Sequence, residues 1–233
     1  MANVEHPYWN LYAKLTALRN SKFGDARTPL RNLAKEAGLN VKEQMKVDLM
    51  LMLPFSRARW VEETFFLSLR EYYAYAVLSP QILEKIAEYS PLIELGAGTG
   101  YNAWVLQQMG ADVVAIDAFP IEEGHNWFFN TRFGLPTKVG KSFTKIEQGD
   151  SRSLVKYPNH TLFICWPPRN EMALESLTYF QGNTLIFVGN KQCCANKAFY
   201  RKLGEEWTVE HLEKTGSWDA CHTEWLTIHS RIT

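Results

Sequence analysis

The sequence predicts an α/β protein: an open, doubly wound, mostly parallel sheet of seven strands with a C-terminal antiparallel hairpin and an N-terminal helical cap. Three observations carry this expectation. Residues 1–90 hold helical signals and no strand alternation. From residue 91 short apolar runs alternate with helical stretches, which implies right-handed parallel crossovers and a sheet covered on both faces. The last two strand-like runs have no helix between them, so they pair antiparallel. The expected organisation is a cap or extension over 1–90 and a sheet domain over 91–233.

The elements follow in chain order. Tyr8 to Arg19 is amphipathic, with Leu11, Leu15 and Leu18 on one face. Thr28-Pro29 opens a second helix, Thr28 as N-cap and Pro29 at the first helical position, and Gly38 ends it. A third helix lies within Val41 to Met52 and stops at Pro54. Arg59 to Leu78 reads as helical. Ser79-Pro80 opens the next helix, with Ile82, Leu83, Ile86 and Ala87 facing inward. Leu92 to Leu95 is a short buried strand ending in glycines, and Tyr101 to Met109 is a helix closed by Gly110. Further strands are expected at Asp112–Asp117, Phe143–Gln148, Thr161–Cys165 and Thr184–Val188. Asn170 caps a helix running through Phe180, ended by Gly182, and Ala195 to Trp207 forms another. Thr208–Lys214 and Glu224–Arg231 make the hairpin.

Composition narrows the function. The 233 residues are 46% hydrophobic and 21% charged, enough for a full core and too ordered for wholesale disorder. Lys plus Arg and Asp plus Glu each number 25, so no whole-surface grip on nucleic acid is expected. No apolar run approaches the roughly 18–20 residues of a membrane helix. The N-terminus lacks a signal-peptide pattern, and the four cysteines read as reduced thiols of a cytoplasmic protein.

The chemistry concentrates in Glu94-Leu95-Gly96-Ala97-Gly98-Thr99-Gly100-Tyr101, which follows a strand and opens a helix. Glycines there permit a sharp turn and close approach to a ligand outside the carboxyl ends of the strands. Asp117 ends the next strand, where a carboxylate accepts hydrogen bonds from both hydroxyls of a ribose. A dinucleotide site prefers G-x-G-x-x-G, but Tyr101 stands at its third glycine and Glu94 repels a pyrophosphate. Glu94 suits a cationic amino group instead, as in S-adenosyl-L-methionine. The alternative is a domain whose glycines only make a tight turn.

Glu94-x-Gly96-x-Gly98-x-Gly100 with Asp117 resembles the class I S-adenosylmethionine-dependent methyltransferases, over roughly residues 75–233. The resemblance implies a Rossmann-like fold, S-adenosyl-L-methionine as cofactor and S-adenosyl-L-homocysteine as product. It implies a cofactor site at Tyr75, Glu94, Gly96, Ala97, Gly98, Thr99, Gly100, Tyr101, Asp117, Ala118, Asp150, Ser151, Cys165 and Trp166. Within it the glycine loop bears the methionine part, Asp117 the ribose and Asp150, in Gly149-Asp150-Ser151, the adenine.

Cys165-Trp166-Pro167-Pro168-Arg169 follows the fourth strand, where this family places substrate-facing residues. Trp166, Pro167 and Pro168 are the candidate positioning residues of catalysis. Enzymes acting on exocyclic amines carry Asp/Asn/Ser-Pro-Pro-aromatic there, and Trp166 and Arg169 depart from that pattern. The segment is more similar to a little-characterised microbial and fungal methyltransferase-like group with Cys-Trp-Pro-Pro. Counterparts of that group's other features are Tyr73-Ala74-Tyr75-Ala76, Trp218 and His222. Trp166 is either a wall beside the sulfonium or a packing residue. Arg169 is a grip for a carboxylate or phosphate, or a solvated first-turn arginine.

Weaker signals are the small basic run Lys138, Lys141 and Lys145, and His125 as a general base. The spacing of Cys165, Cys193, Cys194, Cys221 and His222 does not suit zinc. Three function classes result: a methyltransferase on a small molecule, one on protein or nucleic acid, and a non-catalytic S-adenosylmethionine-binding protein.

Overall fold

The computed structural model describes residues 4–21, 24–36, 39, 41–121, 142–218 and 222–232. Gly38 as a helix stop, His125, Lys138, Lys141 and Cys221 therefore lie outside the described residues. The helices before the sheet are α1 (Pro7–Asn20), α2 (Arg27–Glu36), α3 (Val41–Met52), α4 (Arg57–Val61), α5 (Leu67–Tyr72) and α6 (Pro80–Ala87). Then come β1 (Leu92–Leu95), α7 (Tyr101–Gln108), β2 (Val113–Asp117), β3 (Ile146–Gln148) and β4 (Thr161–Cys165). α8 (Met172–Tyr179), β5 (Thr184–Gly189), α9 (Lys197–Glu206), β6 (Trp207–Lys214) and β7 (Trp225–Arg231) complete the order.

Two helix expectations change. α2 starts at Arg27, and its cap is Asp25, whose carboxylate accepts from the Arg27 and Thr28 N–H groups at 3.0 and 3.2 Å. Thr28 sits inside the helix because the ionised carboxylate of Asp25, three residues upstream, is the better acceptor for those orphan donors. The single helix expected over Arg59–Leu78 is broken: a π-helical turn spans Glu62–Phe66, and the chain leaves the helix after Tyr72. Residues 73–78 are held by other partners, including a bridge from Val77 to Gly216. Where expected, Ser79 caps α6 by accepting from the Ile82 N–H at 3.2 Å.

The sheet has seven strands in the order β3-β2-β1-β4-β5-β7-β6. β1 pairs in parallel with both β2 and β4, and β7 runs antiparallel between β5 and β6. β3 is shorter than the run expected from Phe143, and a six-residue 3₁₀ turn, Ser151–Lys156, follows it. The period of two divides the strands between two apolar layers. Leu92, Ala115, Phe163, Ile186 and Val188 face α6, α7 and the helices before them. Ile93, Ile116, Leu162, Ile164, Leu185 and Phe187 face α8 and α9 through Ala173, Leu177 and Phe199. Each of the buried Val, Leu, Ile and Phe side chains contributes roughly 1.5–3 kcal/mol relative to exposure. With β1 between β2 and β4, the carboxyl ends of all three strands, and the segments after them, meet at one edge of the sheet.

Candidate functional site

A cavity of about 610 Å³ opens at that edge. Its wall includes Tyr75, Glu94, Gly96, Ala97, Gly98, Thr99, Tyr101, Asp117, Ala118, Asp150, Ser151, Cys165, Trp166, Pro167 and Pro168. Gly100, expected with them, is not on that wall. It is the left-handed N-cap of α7, and an added Cβ would meet Thr144 and Ile146 at 3.2–3.3 Å. Its glycine is required by backbone and packing, not by approach to the cavity.

The turn after β1 is tied to β2 before any ligand is considered. Gly96 and Ala97 both donate N–H to the Ile116 carbonyl, at 2.8 and 3.0 Å. Gly98 has φ +57° with nothing within 4 Å of where a Cβ would sit, so an L side chain there would be strained by conformation, not by lack of space, and the backbone stays open to a ligand. The Gly98 N–H donates to Asp117 Oδ2 and the Phe119 N–H to Oδ1, both at 2.9 Å. Asp117 is thus held in one orientation, with a second lone pair left on each oxygen. Burial raises its carboxyl above the usual range, and the two N–H groups partly offset this.

Glu94 is buried and accepts from Asn102 Nδ2 at 3.2 Å and from the Ala103 N–H at 3.1 Å. The strand carboxylate therefore serves the first turn of α7 as well as the cavity. Burial pushes it up to about 7, against the opposing pull of those two donors. Asn102 had no signal in the sequence, because its role depends on the pairing of α7 with β1. Asp150 is exposed and caps the 3₁₀ turn through the Arg152 N–H at 2.9 Å. Ser151 is buried, its hydroxyl donating to the Met172 carbonyl at 3.0 Å.

The end of β4 is built differently. Trp166 has φ +54°, a left-handed conformation rare for a bulky residue. Its N–H donates to the Val188 carbonyl at 2.8 Å, and its indole Nε1 to the buried carboxylate of Glu224 at 2.9 Å. Glu224 also accepts from the Ser217 hydroxyl at 2.8 Å. The Pro167 carbonyl accepts from the Ala195 N–H at 3.1 Å. Proline removes its own donor, not those that the α8–α9 side of the fold brings near. Ala195 is itself left-handed, at φ +53°. Burial raises the Cys165 thiol well above its ordinary value, so it stays protonated. Arg169 is exposed and off the cavity wall.

The segment after α5 supplies the opposite wall. Tyr73, Ala74 and Tyr75 line the cavity, and the Thr99 hydroxyl donates to the Tyr73 carbonyl. The Tyr75 and Trp166 ring centroids are 5.7 Å apart. Trp218 is off the wall and buried, its indole donating to the Ala74 carbonyl at 2.9 Å, so it holds this segment in place. Tyr101 is buried among Tyr8, Tyr73, Trp104 and Phe143 and hydrogen-bonded to His6 at 2.8 Å. Sequence reasoning also missed Arg70, Phe119, Glu171, Met172, Glu175 and Cys193 on the wall, none of which carries a motif.

No family model and no curated protein matches the chain. Among solved structures, the magnesium protoporphyrin IX methyltransferase of Synechocystis PCC 6803 with bound SAM is similar at 13% identity, covering 91% of this chain and 100% of that one, with a TM-score of 0.40. TrmK of M. capricolum, in complex with S-adenosyl-homocysteine, is similar at 14% identity, covering 66% and 69%, with a TM-score of 0.39. The E81Q mutant of MtNAS is similar at 10% identity, covering 95% and 81%, with a TM-score of 0.42. Similarities of this size assign neither an activity nor a substrate.

Proposed function

We propose that the chain is an S-adenosyl-L-methionine-dependent methyltransferase acting on a small molecule. The observation that carries the reading is Asp117, held by the Gly98 and Phe119 N–H groups beside a glycine turn with its free lone pairs at the cavity. That pair of acceptors fits the two hydroxyls of a ribose, and the cavity volume is in the range that encloses a ligand of this size. Bound there, the cofactor supplies an electrophilic methyl carbon for in-line displacement. Asp117 orients the sugar, and Glu94 offers a carboxylate to a cationic amino group. Trp166 and Tyr75 wall off water and hold the acceptor close to attack geometry. The helices before β1 serve as a cap over this edge, a role supported by the contact of Tyr73 with the Thr99 hydroxyl. The small-molecule preference rests on the wall's charge: Glu94, Asp117, Asp150, Glu171 and Glu175 against Arg70 as the lining cation among the described residues. Such a wall repels a phosphate backbone.

Titration calorimetry with S-adenosylhomocysteine and NAD tests the reading. Asp117→Ala should weaken S-adenosylhomocysteine binding roughly ten- to a hundredfold, since one or two charge-assisted hydrogen bonds of about 1.5–3 kcal/mol are lost. Tight NAD binding without binding of the adenosyl ligand overturns it.

A further inference from the structure

Among the described residues that line the cavity, Arg70 is the one with a buried side-chain nitrogen that has no hydrogen-bond partner. It stands on α5, one turn after the π-helical segment, a distortion that often marks functional positions. Its Nε is shut away from solvent without a hydrogen-bond partner, and no described carboxylate pairs with the guanidinium. Other buried polar atoms lack partners, including those on Thr16, Arg19 and His160, but none of those residues lines the cavity. Burying the Nε–H without an acceptor costs free energy, and the rest of the guanidinium, which has no acceptor among the described residues, is what an acceptor entering the cavity can meet.

The surroundings say what that acceptor is. The guanidinium carbon lies 5.1 Å from the Tyr75 ring centroid, and that ring in turn lies against Trp166. A guanidinium holds its fork of donors in one plane, the geometry that matches a carboxylate in bidentate fashion. It is the one cationic side chain among the described residues of a wall that carries five carboxyl groups. An anionic group entering this cavity is repelled at every other charged position and attracted at Arg70.

We infer that Arg70 is the carboxylate anchor of this cavity. The inference rests on the methyltransferase reading for its two possible sources: the α-carboxylate at the amino-acid end of the cofactor, or a carboxylate on the methyl acceptor. Both share the same chemistry at the guanidinium.

The test compares wild type, Arg70→Met and Arg70→Lys by calorimetry with three probes: S-adenosylhomocysteine, 5′-methylthioadenosine, which lacks the amino-acid end, and benzoate. Benzoate is titrated into both free and S-adenosylhomocysteine-saturated protein. If Arg70 holds the cofactor's carboxylate, Arg70→Met weakens S-adenosylhomocysteine roughly ten- to a hundredfold and leaves 5′-methylthioadenosine unchanged. If it holds the acceptor's, both adenosyl ligands are unaffected and benzoate binding to the saturated protein is lost. Arg70→Lys keeps the charge without the fork and should fall between, and it stands in if the Met variant fails to fold. Should no probe distinguish the variants from wild type, the inference is overturned. If wild type binds neither adenosyl ligand, the cofactor reading falls instead, and benzoate on the free protein still decides Arg70.

Discussion

The two ends of the cavity both turn the backbone through left-handed conformations, but by different means. At the end of β1 the positive φ angles fall on Gly96, Gly98 and Gly100, at +74°, +57° and +73°. Glycine adopts them without steric penalty. At the end of β4 one falls on Trp166, at +54°, and another on Ala195, at +53°, which precedes α9 and hydrogen-bonds to Pro167. There the left-handed region costs roughly 1–2 kcal/mol per residue. The first end is held by the next strand along the chain, as in Gly98 to Asp117. The second is held by the paired strand at Val188 and, from farther along the chain, by Glu224 and the Pro167–Ala195 hydrogen bond. Strain of this kind persists where surrounding contacts over-determine it, and it clusters at binding sites. The glycine end is a preformed turn, whereas the tryptophan end is a conformation the tertiary structure enforces.

The sharpest way to separate the ends is through their buried carboxylates, and the largest effect is expected at Glu94. Its folded value of about 7 lies above the ordinary 4.5. Between those values the unfolded chain releases a proton that the folded chain keeps. The contribution to stability is therefore fully present below pH 4.5 and lost as pH rises through about 7. Relative to Glu94→Gln, wild type should lose on the order of 2–3 kcal/mol between pH 5 and pH 8, read from urea midpoints. A constant difference across that range would show that Glu94 is ionised throughout.

At the other end, Trp166→Phe removes the donor to Glu224 and leaves a buried carboxylate short of one partner. A loss of about 1–3 kcal/mol in unfolding free energy is expected, with S-adenosylhomocysteine affinity within about twofold of wild type. Equal losses of stability and affinity would mean that the two ends are one coupled unit. The smallest effect belongs to Ala195→Gly. Relief of the left-handed strain and the added chain entropy of glycine nearly cancel, so a shift below about 1 kcal/mol is expected. A large destabilisation would show that the Ala195 methyl group is part of the packing beside Pro167.

This contrast also separates what could be read in advance. The strand–turn–helix at Glu94–Tyr101 and the terminal hairpin were legible, because each depends on local composition and on the rules that connect neighbouring elements. Asp117 was legible for the same reason: it ends a strand that adjoins the glycine turn. The break of the Arg59–Leu78 helix was not, because Thr99, Trp218 and Gly216 claim the backbone groups of residues 73–77 from elsewhere in the chain.

By itself, then, the sequence determined the α/β alternation, the seven strands, the left-handed turn at Gly96 and Gly98 and the acid beside it, since glycine freedom and apolar periodicity act over a few residues. Only the tertiary structure decided that Trp166 is wedged left-handed onto Glu224, that the Pro167 carbonyl is taken by Ala195, and that Arg70 is left unmatched. Those outcomes depend on which polar groups burial brings together across 28 residues or more of chain, or fails to bring together, and no local pattern encodes that.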